Sequence, residues 1–283
     1  MNKLRLGQCV MLVSERISVS DYAQIGADAR LPASPGQTQL AGALESLGIQ
    51  HDDEWAWANY KRVVSGLCDR FSSRRLIEIG GGRDPLFSPE EISALGVEMT
   101  VNDIAPGEIA VLPGGYKTAC FDIAGDISMS TDLRESFDLA FSRMVFEHVE
   151  DGRRAWSNLY NILAPGGVAL AFVPTLYAVP FVANRLLPDK LAAAIVRAIF
   201  RHRTDEADPV FPARYSWCIA DQARIGSMLA AIGYREVAVL PFYGHGYYRY
   251  FPVIRDIHRR FTALARRRDW RLLASFAYIA ARK

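Results

Sequence analysis

Between residues 74 and 174 short apolar runs alternate with short amphipathic ones, and glycine or proline marks most of the changes. LIEI (76–79), VEMTVND (97–103), YKTACFD (116–122), FDLAFS (137–142) and VALAFVP (168–174) read as strands. PEEISALG (89–96) reads as a helix with Pro89 in its first turn and Gly96 as its stop. TDLRES (131–136) and DGRRAWSNLYNILA (151–164) are also read as helices, the second with Ala155, Leu159, Ile162 and Leu163 on one side. Such alternation implies a parallel sheet with helices on both faces, because each parallel crossover must return over a face. Ligands in such sheets sit outside the carboxyl ends of the strands, so the last residues of each strand carry most of the functional information.

The flanks are less regular. Residues 1–73 read as an N-terminal leader and cap helices: LPASPGQTQ (31–39) suits a mobile loop, and 51–71 a helix. That helix can place Trp55, Ala58, Val63, Leu67 and Phe71 broadly on one side, with Asp52 and Asp53 at its N-terminus. After strand five, DQARIGSMLAAIG (221–233) is a helix, and YREVAVL (234–240) and RLLASFAYIAAR (271–282) are strands. Residues 175–220 and 241–270 are then insertions after strand ends, placed as lids over the ligand side of a domain spanning 74–283. The apolar stretch 166–187 is long enough to span a membrane, but Pro174 and Pro180 break it, and a buried strand followed by a loop fits better. Arg5, Glu15 and Arg16 argue against a signal peptide. Cys9, Cys68, Cys120 and Cys218 form no CxxC pair, which leaves reduced thiols and a cytoplasmic location as the expectation.

The stretch RRLIEIGGGRDP (74–85) puts three glycines on the end of the first strand. A nucleotide phosphate, a dinucleotide and S-adenosylmethionine compete for such a turn. No GK[ST] follows at P-loop spacing, which discards a nucleoside triphosphate. Gly80 and Gly82 supply the first half of GxGxxG, but Pro85 stands where the third glycine belongs. Glu78 precedes the glycines, Asp103 ends the second strand and Asp122 ends the third. Three carboxylates on one crevice repel a pyrophosphate and favour a cationic sulfonium with its ammonium, ribose and adenine.

At this point the chain resembles the class I S-adenosylmethionine-dependent methyltransferases. LIEIGGG, VND, CFDI, FDLAFSRMVFEHVED and LAPGGVALAFVP match five family motifs in order, over 74–174 and less fully over 221–282. Asp84 departs from the family's third glycine. The resemblance implies a Rossmann-like, doubly wound, seven-stranded, mostly parallel sheet with an antiparallel last strand. It also implies that Glu78, Gly80, Gly81 and Gly82 line the methionine end of the cofactor. Asp103 would hold the ribose hydroxyls, Asp122 would meet the adenine amino group with the Ile123 backbone nearby, Ser142 and Arg143 would sit near the sulfonium, and Ile104 is a further cofactor-binding candidate. A nicotinamide-dependent oxidoreductase and a non-catalytic module that binds S-adenosylmethionine are the alternatives.

Methyl transfer needs an aligned acceptor and, for a hydroxyl, a base. His148 is the candidate base, since unperturbed histidine titrates near ~6.5; a packing role is the alternative. Met144 stands where the ubiquinone-type enzymes carry an extra glutamate, so no metal is expected. No (N/D/S)PP(Y/F/W) follows strand four, which argues against nucleic-acid bases as acceptors. Trp57, Tyr60, Glu147, Tyr177, Tyr215, Trp217 and His245 are candidates to line a small-molecule or saccharide acceptor, or to pack the lids. Net charge is only +2, yet seven arginines crowd 255–271. In 254–268 they oppose Ile254, Ile257, Phe261 and Leu264 at helical spacing. This is either a helix docked on its own protein or a peripheral contact with the inner face of a membrane, where a lipid-linked acceptor would be met.

Overall fold

The computed structural model describes residues 38–127, 131–176, 213–244 and 252–283. Among these, seven strands form one sheet: β1 (Arg75–Ile79), β2 (Glu98–Asp103), β3 (Lys117–Cys120), β4 (Phe137–Arg143), β5 (Leu163–Pro174), β6 (Glu236–Phe242) and β7 (Phe276–Arg282). Their order is β3-β2-β1-β4-β5-β7-β6. β1 to β5 pair in parallel, and β7 runs antiparallel between β5 and β6. The doubly wound sheet expected from the alternation is the one observed.

Apolar runs without alternation are what a sheet covered on both faces demands. Ile77, Ile79, Ala140, Ala169 and Ala171 point to one face, where α5 (Gly152–Ile162) and α6 (Gln222–Ala230) bury Trp156, Leu159, Ile162, Ile225 and Leu229. Leu76, Leu139, Phe141, Leu170 and Phe172 point to the other, against α1 (Gln39–Ser46) and α2 (Asp53–Arg70). Asp52, Ser88, Asp151 and Asp221 cap α2, α3 (Pro89–Leu95), α5 and α6 by accepting a backbone N–H two or three residues into each helix. A further short helix, α4 (Pro106–Ala110), follows β2.

Some boundaries differ from expectation. α1 starts at Gln39, where the sequence suggested a loop, and α1 and α2 share a core with the sheet across residue 73. The buried side of α2 carries Ala56, Tyr60, Val63, Val64 and Leu67, and leaves Ala58 exposed. β3 stops at Cys120, so Asp122 lies two residues past its strand. β6 continues to Phe242 and Tyr243 pairs with Asp52, so 241–243 extend the sheet. The remaining described part of that insertion contains α7 (Pro252–Arg267), and Arg271–Leu273, expected to begin the last strand, form a 3₁₀ turn before β7 starts at Phe276. The described ends of the first insertion meet at the carboxyl edge of β5, where Leu176 N–H donates to the Cys218 carbonyl at 2.9 Å.

Candidate active site

Register sets the site. Ile79 pairs with Asn102 on one side and Ser142 on the other, so Gly80 leaves the sheet level with Asp103 and Arg143. Gly80 and Gly82 have φ of 69° and 45°, a left-handed backbone that costs a side-chain-bearing residue ~1–2 kcal/mol. Space excludes side chains as well. A Cβ on Gly80 would overlap Val145, and one on Gly82 would lie 2.9 Å from Asp103 Oδ2. The glycine loop is thus folded directly against the ends of β2 and β4.

Arg83 and Asp84, which replace the rest of the usual glycine pattern, are tied to the walls of this crevice. Arg83 makes a two-pronged pair with Glu108 on α4, both contacts at 2.5 Å. Arg143 on β4 donates to the Asp84 carbonyl at 3.3 Å and lies 3.7 Å from its carboxylate. Two exposed ion pairs take over the job of shaping the loop; each is worth at most ~1 kcal/mol. Glu108 had no motif to announce it.

The carboxylates differ more than their spacing suggested. Glu78 is buried, its Oε2 accepts the Leu86 N–H at 2.8 Å, and burial pushes its pKa up to about 7. It therefore brings only part of a charge to the crevice at neutral pH. Asp103 is half-buried; Oδ1 accepts the Ala105 N–H at 2.9 Å, and burial holds its pKa above the usual carboxylate range. Asp122 is exposed, and its Oδ1 accepts the Ala124 N–H at 2.8 Å. Of the three carboxylates expected on the crevice, Asp103 is thus half-buried, Asp122 is exposed, and Glu78 is buried with its pKa raised to about 7.

Neighbouring groups fix the rest of the rim. Ile104 is exposed beside Asp103. Ile123 is buried, and its carbonyl accepts from Asn158 Nδ2, which also holds the Gly125 carbonyl. Asn158, a polar residue three positions after Ala155 on the apolar side of α5, was the sequence signal for this brace. The Ser142 hydroxyl is buried with no hydrogen-bond partner among the described residues. Such an orphan at a strand end suits a bound ligand. With the left-handed glycines and Asp103, it gives a set that fits S-adenosylmethionine.

A second group follows β4. Met144 takes a left-handed φ of 58°, and Phe146–His148 form a 3₁₀ turn. The Glu147 carbonyl accepts N–H groups from Arg214 at 2.6 Å and Tyr215 at 3.0 Å, so residues 213–218 are clamped onto this turn. Tyr215 and Trp217 are themselves left-handed, with φ of 53° and 61°. Strained backbone concentrated this way is typical of functional loops. The Glu147 carboxyl is fully buried, and neither oxygen has a hydrogen-bond partner among the described residues. Burial pushes its pKa up to about 8. His148 Nε2 lies 4.0 Å from Glu147 Oε1, with its side chain partly exposed.

Several expected acceptor residues do not line a surface. Tyr60 is buried under the sheet, where its hydroxyl donates to the Ser142 carbonyl at 2.6 Å; it supports the end of β4 from below. Glu147 and Tyr215 are buried too, because the 213–218 loop closes over the 3₁₀ turn. Trp57 is half-buried, edge-on to Phe172 and Phe276, and Trp217 is half-buried against the α5 side of the core. Tyr177 and His245 lie outside the described residues. No group of three or more His, Cys, Asp or Glu among the described residues is placed to hold a metal.

The family model described as "Methyltransferase domain" matches residues 50–205. No curated protein matches the sequence. Among solved structures, a SAM-dependent methyltransferase from Archaeoglobus fulgidus aligns with a TM-score of 0.48 and 17% identity, over 82% of this chain and 100% of that one. The CurJ carbon methyltransferase aligns with a TM-score of 0.48 and 17% identity, over 88% of this chain and 61% of that one. The phosphoethanolamine N-methyltransferase 2 of Haemonchus contortus aligns with a TM-score of 0.48 and 15% identity, over 87% of this chain and 58% of that one. The chain thus spans about three fifths of the length of these last two proteins.

Proposed function

The chain belongs to the methyltransferase-domain family, with S-adenosylmethionine as methyl donor, and on that premise we propose methyl transfer to a hydroxyl of a small molecule or saccharide, free or lipid-linked. When bound, S-adenosylmethionine supplies a methyl group on a positively charged sulfur that leaves as a neutral thioether. In this reading Gly80, Gly81 and Gly82, with Glu78 behind them, take the methionine end. Asp103 accepts from the ribose hydroxyls, and exposed Ile104 covers an apolar ring face. Asp122 and Ile123 border the adenine, while Ser142 and Arg143 border the sulfur. The observation that carries the assignment is how closely the left-handed Gly82 packs on Asp103: a Cβ placed on that glycine would lie 2.9 Å from Asp103 Oδ2, so the glycine turn and the carboxylate form one wall.

His148 is the group assigned to the acceptor proton. Its imidazole sits on the turn after β4, partly exposed, on a backbone held by the 213–218 loop. A base fixed on a strained turn keeps its place without a reorganisation cost as the hydroxyl loses its proton. The test is transfer of labelled methyl from S-adenosylmethionine into a panel of sugars and small alcohols. An alkali-stable methyl ether supports the reading. Label on nitrogen or carbon would replace the hydroxyl acceptor, and tight cofactor binding with no transfer would favour a non-catalytic module.

A further inference from the structure

Helix α7 departs from what its sequence pattern suggests. Apolar residues four and three apart on a helix normally mark the side turned to the core. In α7 the core side carries Ala265, fully buried, with His258 and Thr262 half-buried beside it. The apolar stripe faces out: Ile257 is 64% exposed, Phe261 36% and Leu264 42%. Just beyond the helix, Trp270 is 41% and Leu272 49% exposed. Five of the seven exposed large hydrophobic side chains among the described residues therefore lie within 257–272. Isolated exposed apolar groups need no explanation, but a cluster of this kind marks a contact surface.

Charge identifies the contact. Residues 255–271 hold seven arginines and two aspartates, against +2 for the whole chain. Arg271 is held internally by Asp269 and the Val239 carbonyl. Arg259, Arg260, Arg266, Arg267 and Arg268 are exposed and make no ion pair among the described residues. At 100° per residue, Arg259 and Arg266 oppose the stripe as expected, but Arg260 and Arg267 flank it on its solvent side and Arg268 falls in line with it. A second copy of the chain would bring the same excess of arginine to the interface, and like charges would oppose the pairing. A neutral apolar partner would leave the arginines without counter-charge. An anionic lipid surface satisfies both features at once, taking the stripe into the acyl boundary and the guanidinium groups among its phosphates.

We propose that the outer face of α7, continued by Trp270 and Leu272, docks the protein on an anionic membrane surface. The surface is read independently of the methyl-transfer reaction. It would hold the chain beside lipid-linked acceptors; among the described residues no helix is long and apolar enough to cross a membrane.

The test is flotation of the full chain with vesicles of phosphatidylcholine alone and of phosphatidylcholine mixed with phosphatidylglycerol. Binding to the mixed vesicles only, weakened by salt, is the expected result. Replacing Arg260 and Arg267 by glutamine should lower the partition coefficient about thirtyfold, from about a fivefold loss per arginine. Phe261→Ser with Leu264→Ser should also release the protein while leaving its thermal unfolding in place, since both side chains already face solvent. No binding to mixed vesicles, or equal binding to neutral ones, would overturn the proposal. A concentration-dependent dimer abolished by the two serine substitutions would assign the face to a second copy instead. S-Adenosylhomocysteine affinity, measured on the same samples, reports separately on the cofactor site.

Discussion

Glu147→Gln should make the protein less sensitive to rising pH. The carboxyl of Glu147 is fully buried with no hydrogen-bond partner among the described residues, and its pKa rises from 4.5 to about 8. In the unfolded chain the same group titrates near its ordinary value. Between those values the folded state holds a proton that the unfolded state has released, so stability falls as pH rises from the ordinary carboxylate pKa through about 8. Each tenfold difference in proton affinity between the two states corresponds to ~1.4 kcal/mol, which gives a loss of up to about 4 kcal/mol between about pH 5 and about pH 9. Local relaxation and water entry would bring this closer to ~2 kcal/mol. Glu78, raised to about 7, and Asp53, raised to about 6, act in the same direction, so part of the slope persists in the variant. Urea unfolding followed by circular dichroism across this range gives the slope for both proteins. A wild-type stability that is flat or rises over this interval, or an unchanged slope in Glu147→Gln, would refute the reasoning.

Asp103→Ala should weaken S-adenosylhomocysteine binding about tenfold to a hundredfold by calorimetry, the range for loss of a charged hydrogen-bond acceptor; unchanged affinity would remove the ribose assignment. Gly80→Ala combines a left-handed backbone with an overlap on Val145, and should lower stability by about 1–3 kcal/mol and abolish cofactor binding together. His148→Ala should slow turnover about a hundredfold or more with cofactor affinity kept; full activity would leave His148 a packing residue.

The sheet was legible because its signals are local. Glycine and proline punctuation, helix caps at Asp52, Ser88, Asp151 and Asp221, and unbroken apolar runs all lie within a few residues of the feature they specify. The glycine turn and Asp103 were legible for the same reason. What the sequence hid depends on distant partners. Tyr60 reads as a candidate acceptor contact until the sheet lies over it and its hydroxyl donates to the Ser142 carbonyl. Glu147 reads as a site carboxylate until residues 214 and 215, far along the chain, bond to its carbonyl and bury it. The helical period of 254–268 showed that an apolar stripe exists, but periodicity carries no information on whether anything covers it. RDP was opaque because Arg83 and Asp84 find partners on α4 and β4, elements that no spacing rule links to them.

The central claim is that one wall, made of the Gly80–Gly82 turn and Asp103, holds S-adenosylmethionine. A crystal structure with S-adenosylhomocysteine tests it most directly. The homocysteine should lie along the glycine turn, the ribose hydroxyls on Asp103 and the adenine between Ile104 and Ile123, with the sulfur open toward His148. Ligand bound elsewhere, or a ribose that does not meet Asp103, would contradict the account.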